Sequence, residues 1–341
     1  MTMPAKYLDM ELRISPHGKR PVDTVAIMRT VVLALLPVAA AAVYIFGAGA
    51  LLLLLSTVAS CLAAEAAACR VSGRASSLPD YSAVITGLLL GLTLPPGFPL
   101  WMAAVGGFVS IGLGKTLFGG LGFNIFNPAL VGRAFLQAAF PVAITSWSPV
   151  LSAARFRSLP PGTLTVPFTH PTADAFSGAT PLAAMKFDHA AAPLGDLLFG
   201  GVPGSMGETC AAVILLCGLY LALRRMLDWR IPAGIFTAVI VTSAMVRLIV
   251  PSAPTPGFML LSGGLMLGAV FMATDMVTSP VTSRGVWLYA GLIGMLVVII
   301  RVWGGLPEGV MYAILIGNAV TPGLNRITQP RVYGTSCRSV K

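Results

Sequence analysis

The stretch VAIMRTVVLALLPVAAAAVYIF, Val25–Phe46, is followed after a single Gly47 by AGALLLLLSTVASCLAAEAAAC, Ala48–Cys69. Each run is long enough to cross a bilayer as a helix, which takes roughly 20 mostly apolar residues. The first run has the basic upstream flank of a signal peptide. It exceeds the apolar core of such peptides, roughly 7–15 residues, and further spans follow, so it reads as a first membrane helix that is retained.

The same pattern continues outward. Further spans are expected at about Ser82–Leu94, Leu100–Leu117, Ile125–Ile144, Glu208–Met226, Pro232–Val250, Phe258–Ala273, Val286–Val302 and Glu308–Pro322. The composition agrees: of 341 residues 56% are hydrophobic and 10% charged, with mean hydropathy +0.85. A soluble domain carries about 25% charged residues, so lipid must be the solvent for much of this chain. The 37 glycines and 26 prolines would break helices in a soluble protein, but membranes tolerate them where neighbouring segments re-satisfy the freed backbone groups.

The net charge of +10 does not point to nucleic acid, because the basic residues lie in short loops between apolar runs and form no basic face. It points to topology, since cytoplasmic loops are enriched in Lys and Arg. With the N-terminus inside, Lys6, Arg13, Lys19, Arg20, Arg70, Arg74, Lys115, Arg224, Arg225, Arg230, Arg284, Arg326, Arg331, Arg338 and Lys341 fall on the cytoplasmic side, against Arg155, Arg157, Lys186 and Arg301 outside. The expected protein is therefore N-in and C-in, with the long loop from Thr145 to Gly207 on the outer face. Four of the five cysteines lie in apolar runs and no Cys-x-x-Cys occurs. That argues against a zinc or iron–sulfur site built by this chain alone.

The two halves resemble each other. Gly119-Gly120-Leu121 precedes Ala129-Leu130-Val131-Gly132-Arg133-Ala134, and Gly304-Gly305-Leu306 precedes Ile314-Leu315-Ile316-Gly317-Asn318-Ala319, with Gly304 and Gly317 each 185 residues after their counterparts Gly119 and Gly132. Upstream, Gly264 to Gly268 matches Gly87 to Gly91 at a spacing of 177. An odd number of spans per half makes the second half inverted. The fold expected is an all-α integral membrane protein of about ten transmembrane helices, two inverted five-helix repeats with a short broken helix third in each. Its parts are a cytoplasmic segment 1–24, a first repeat 25–144, the outer loop 145–207, a second repeat 208–322 and a cytoplasmic tail 323–341.

Hydropathy leaves two functions open: a channel or solute transporter, and a redox subunit on the same scaffold. The outer loop holds Asp174-Ala175-Phe176-Ser177-Gly178-Ala179-Thr180-Pro181-Leu182. Thr180 is a good acceptor hydroxyl among small neighbours, and Asp174 could help hold metal or substrate in an enzyme that modified it. Taken alone, Ser177-Gly178-Ala179-Thr180 reads as a turn in a loop, because short motifs of common residues recur by chance.

The motif has company in Gly119-Gly120-Leu121-Gly122-Phe123-Asn124-Ile125-Phe126-Asn127-Pro128-Ala129-Leu130-Val131-Gly132-Arg133-Ala134-Phe135, in Met272-Ala273-Thr274-Asp275-Met276-Val277-Thr278-Ser279-Pro280-Val281-Thr282, and in Pro307-Glu308-Gly309-Val310-Met311-Tyr312-Ala313-Ile314-Leu315. With these four motifs in order, nearly the whole chain resembles the D subunits of Rnf complexes, the ion-translocating ferredoxin:NAD oxidoreductases of bacteria. It is also similar to the related B subunits of sodium-pumping NADH:quinone oxidoreductases. The resemblance implies FMN joined through its phosphate to Thr180 by a separate flavin transferase, with Asp174 and Ser177 in the recognition pattern. It implies electron transfer coupled to Na⁺ or H⁺ movement in the bacterial inner membrane, with other Rnf-type subunits as partners. The short segment before the first span favours the Rnf branch. The quinone-reducing relative further implies a non-covalent riboflavin near Asn124 and Asn127, whose amides can serve both edges of an isoalloxazine ring; helix capping by asparagine is the alternative.

Ionisable residues inside spans are functional suspects. Glu65 and Asp275 are the candidates for conducting or gating the ion; the alternative is hydration at the inner interface, or pairing with Arg70 or Arg284. Lys186 and His189 lie near the threonine and could face the phosphate or the flavin edge, though as surface loop residues they read more readily as doing neither. No Gly-x-Gly-x-x-Gly between strand and helix is present, so NAD and ferredoxin are expected to meet partner subunits.

Overall fold

The structure is a computed structural model, and it describes residues 23–73, 76–167, 178–208 and 210–330. Helix α1, Thr24–Phe46, starts where the Asp23 carboxylate accepts the Val25 N–H at 3.4 Å. It ends at Gly47, the whole of the link to α2, Ala48–Val71. Gly47 has φ +83°, and a Cβ there would stand 2.0 Å from the Arg155 carbonyl oxygen. That same carbonyl accepts the Ala48 N–H at 3.0 Å. Only glycine fits so sharp a reversal with a loop laid across it.

Next come α3, Ser82–Leu92, and α4, Leu100–Ile111, which runs on as a π-helical turn over Gly112–Thr116. The expected fifth span divides into α5, Pro128–Ala139, and the single turn α6, Pro141–Ile144, because Pro141 cannot continue the α5 hydrogen-bond ladder. The loop carries α7, Pro181–Phe187, and α8, Leu194–Phe199. In the second half, α9 is Ala211–Leu223 and α10 is Arg230–Ile249. The expected eighth span is interrupted: α11, Pro256–Leu261, stops at Ser262, and α12, Leu265–Leu267, continues as a second π-helical turn over Gly268–Met272. Helix α13 is Ser283–Trp303 and α14 is Val310–Ile327, with Pro322 inside it.

Among the described residues all regular structure is helical, and α1, α2, α10 and α13 are each long and apolar enough to cross a membrane. Large apolar side chains such as Leu33, Leu36, Leu55, Leu248 and Ile249 lie exposed on their outer faces. In water such a surface would aggregate; in lipid it is solvated. The chain is a multi-pass membrane protein.

Packing inside is close. Helix α2 lies against α3 and α4, and α4 against α5; α10 lies against α11 and α13, and α13 against α14. The halves meet through α1 with α9 and α5 with α14, and one continuous apolar core runs through both. Small residues permit the approach: a Cβ at Gly132 of α5 would fall 1.8 Å from Ser110 Oγ of α4.

Broken helices leave carbonyls without intrahelical donors, which is costly away from water. Two arginines supply donors. Arg301 on α13 donates to the carbonyls of Met259 (2.5 Å) and Ser262 (2.8 Å), where α11 stops. Arg133 on α5 donates to the carbonyl of Thr93, where α3 stops.

Candidate cofactor and ion sites

Thr180 caps α7. Its hydroxyl oxygen accepts the Ala183 N–H at 3.2 Å, and the residue is 3% exposed. It opens into a cavity of about 370 Å³ lined by Arg133, Gln137, Thr145, Trp147, Phe187 and Glu308 among others. That volume lies within the ~300–1,000 Å³ range of small-molecule pockets. The walls offer two aromatic faces, a hydroxyl, an amide and an ion pair, a donor set suited to an aromatic ring with a polar edge. Asp174 and Ser177 lie outside the described residues.

Lys186 does not line this cavity. Its ammonium donates to the carbonyls of Arg301 (3.2 Å), Gly304 and Leu306 (3.4 Å), strapping α7 to the link between α13 and α14. Partial burial pulls its pKa below the usual lysine range. His189, at φ +55°, lines a separate cavity behind α7 with Lys186, Arg301 and Trp303.

At the floor of the Thr180 cavity Arg133 pairs with Glu308 at 2.5 Å, both side chains largely buried. The two residues also line the next cavity inward, with Thr93, Ser205, Glu208 and Gly264. The Glu208 carboxylate lies against Glu308 and Arg133 and accepts the Ser205 N–H at 3.4 Å. In the sequence, Glu208 and Glu308 read only as the first residues of spans. The signal available for them is charge at the mouth of an apolar run, with Glu308 inside one of the four motifs.

A fourth cavity, of about 100 Å³, opens at the other end of α5. It gathers Asn124, Asn127, Asp275, Lys115 and Ser82 with apolar residues of α1, α3 and the second π-helical turn. Asn127 caps α5 through the Ala129 N–H at 3.0 Å and donates to the Met272 carbonyl at 3.2 Å, which joins the halves. Asn124 donates to the Phe126 carbonyl at 3.3 Å and contacts Asp275. Asp275 accepts the Val277 N–H at 3.2 Å and the Thr278 hydroxyl at 3.4 Å. The two asparagines and Asp275 are thus brought together. Asp275 is held by these neutral donors and not by an ion pair with Arg284.

Glu65 lies elsewhere. Its Oε1 accepts from Lys115 at 2.5 Å and from Ser77, while its Oε2 is buried without a hydrogen-bond partner. Lys115 donates also to Ser82 Oγ at 2.6 Å. The partner of Glu65 is therefore Lys115 on the first π-helical turn, not Arg70, and both side chains are buried. A fifth cavity holds Glu65, Cys69, Ser77 and Lys115, so Lys115 stands between it and the Asp275 cavity.

These features define a helical multi-pass membrane protein with a ligand-sized cavity at a buried loop threonine and charged groups set between its halves. The family profile described as NQR2, RnfD, RnfE matches residues 11–334, and the chain belongs to that family. It is 42% identical over 335 residues to the D subunit of the ion-translocating oxidoreductase complex of Stutzerimonas stutzeri, covering 92% of each chain. It is 40% identical over 333 residues to the D subunit of the Na(+)-translocating ferredoxin:NAD(+) oxidoreductase complex of Acetobacterium woodii, covering 96% of each. To the D subunit of the proton-translocating ferredoxin:NAD(+) oxidoreductase complex of Clostridium ljungdahlii it is 38% identical over 332 residues, covering 94% of this chain and 95% of the relative.

Proposed function

We propose that this chain is the D-type membrane subunit of an ion-translocating ferredoxin:NAD oxidoreductase complex and carries FMN on Thr180. The relatives' names and near-complete coverage support the complex. The observation that carries the flavin is that the threonine of Ser177-Gly178-Ala179-Thr180 opens into a cavity of about 370 Å³ with two aromatic walls and a polar floor. FMN supplies one- and two-electron redox chemistry, which suits a relay between iron–sulfur proteins and nicotinamide. Here Thr180 would hold the phosphate, Trp147 and Phe187 would exclude water from the ring, and Arg133 and Gln137 would meet its polar edge.

The same reading has ten crossings in two inverted halves, N-in and C-in, with the loop outside, where a flavin transferase acts. In its support, the packing of α2, α4 and α5 parallels that of α10, α13 and α14. Glu65 and Asp275 are proposed on the path of the Na⁺ or H⁺. A non-covalent riboflavin near Asn124 and Asn127 belongs to the same reading: both line one cavity with Asp275, and each amide has hydrogen-bonding capacity beyond its contact to the Phe126 or Met272 carbonyl.

In-gel flavin fluorescence after denaturing electrophoresis tests the reading, with wild type and Thr180→Ala each co-expressed with a flavin transferase. A fluorescent band lost in the variant is expected. A dark wild-type band would remove the flavin and favour a non-redox channel or transporter on the same scaffold. Quinone-linked rather than ferredoxin-linked reduction of the assembled complex would favour the B subunit of a sodium-pumping NADH:quinone oxidoreductase.

A further inference from the structure

The Arg133–Glu308 pair is the only group of opposite charges, among the described residues, that borders both the Thr180 cavity and the cavity beneath it. Arg133 comes from α5 of the first half, Glu308 from just before α14 in the second. Gln137, one turn beyond Arg133 on the same helix face, lines the Thr180 cavity beside it. The guanidinium is held in place: one nitrogen serves the Thr93 carbonyl and the other the Glu308 carboxylate at 2.5 Å. Glu308 Oε1 is buried, and Glu208 lies against the same carboxylate. Glu208 and Arg301 stand close enough to feel the pair, but neither lines the Thr180 cavity.

We propose that the Arg133–Glu308 pair sets the electrostatic potential met by the flavin on Thr180, and so sets the cofactor's reduction potential. The inference rests on the reading that Thr180 carries FMN. An electron delivered to the ring adds one unit of negative charge, and no bond between ring and protein forms or breaks. In a site with little water, a neighbouring charge acts far more strongly than it would in bulk solvent. As built, the guanidinium and carboxylate nearly cancel. Removing the carboxylate charge leaves Arg133 uncompensated and favours the reduced ring. Removing the guanidinium leaves Glu308 uncompensated and favours the oxidised ring. The two residues are tuning groups rather than catalytic ones.

The test is a spectroscopic redox titration of the detergent-solubilised protein, matured with flavin transferase, for wild type, Glu308→Gln, Arg133→Gln, the double variant and Glu208→Gln. In-gel fluorescence, run on every sample, reports flavin attachment independently of potential, so loss of flavin and failure of the inference are separate outcomes. Expected are an upward shift in midpoint potential for Glu308→Gln and a downward shift for Arg133→Gln, while Glu208→Gln, which does not line the Thr180 cavity, moves the potential less than either. The double variant is expected near wild type. A merely structural role would not give shifts of opposite sign that cancel. An unchanged potential in a fully flavinylated Glu308→Gln protein overturns the inference. So do shifts of one sign in both single variants. If Arg133→Gln does not accumulate, Glu308→Gln decides alone.

Discussion

Lys115→Met is expected to destabilise the protein by about 3–5 kcal/mol, the cost of breaking a buried ion pair from one side. The structure sets that scale. The Lys115 and Glu65 side chains are 5% and 4% exposed and their charged atoms lie 2.5 Å apart. Without Lys115, Glu65 retains only the Ser77 hydroxyl, and its Oε2 has no hydrogen-bond partner to take up the load. Ser82 Oγ loses its charged donor too. With an unfolding entropy of roughly 2.1 cal/mol/K per residue, a chain this long shifts by about 1.4 °C per kcal/mol, so the thermal midpoint in detergent should fall by about 4–7 °C. The double variant Lys115→Met/Glu65→Met buries no unpaired charge and should recover most of that loss. Fluorescence-detected thermal unfolding in a single detergent measures all three proteins. A Lys115→Met midpoint within a degree or so of wild type, or a double variant no better than the single one, would refute the claim that the two buried charges depend on each other.

Gly47→Ala places a Cβ 2.0 Å from the Arg155 carbonyl at φ +83°, so a loss of at least about 1–3 kcal/mol is expected, read as a lower thermal midpoint. Lys186→Met removes one ammonium from three carbonyls; limited proteolysis should then cut the loop around α7 faster, with the midpoint lowered by less than in Lys115→Met. Thr180→Ala should abolish flavin fluorescence and, through the lost α7 cap, cost about 0.5–2 kcal/mol. Asp275→Ala should depress ion uptake in vesicles holding the assembled complex; unchanged uptake would take Asp275 off the ion path.

Much of the scaffold is legible in the sequence because long apolar runs have one physical use. Val25–Phe46 differs from α1 by a residue, and Ser82–Leu94 from α3 by the two residues at its end. The breaks are harder to read. Pro141 is visible within the expected fifth span, yet whether a span survives its proline depends on neighbours. The interruption at Ser262 carries no proline and is held by Arg301, 39 residues away along the chain. Local sequence cannot announce a donor that arrives from another helix. The same limit hides the partner of Glu65: Arg70 is near in sequence, while Lys115 is 50 residues off and reaches it only once α4 lies against α2. Thr180, Asn124, Asn127 and Asp275 can be picked out from motifs. Glu208 becomes conspicuous only when two halves of the chain put it around one cavity with Arg133 and Glu308.

The burial of Thr180 carries a message about time. Its hydroxyl, 3% exposed and engaged by the Ala183 N–H, is closed to a modifying enzyme once α7 has docked. Lys186 helps hold α7 there by reaching carbonyls that lie 115–120 residues later in the chain. At ~5–20 residues per second of synthesis, the threonine exists for about 6–24 s before its lid-holding partners have been made. On the flavin reading, maturation must either use that interval or wait for the loop to lift, and a protein that missed its flavin would close over an empty chamber.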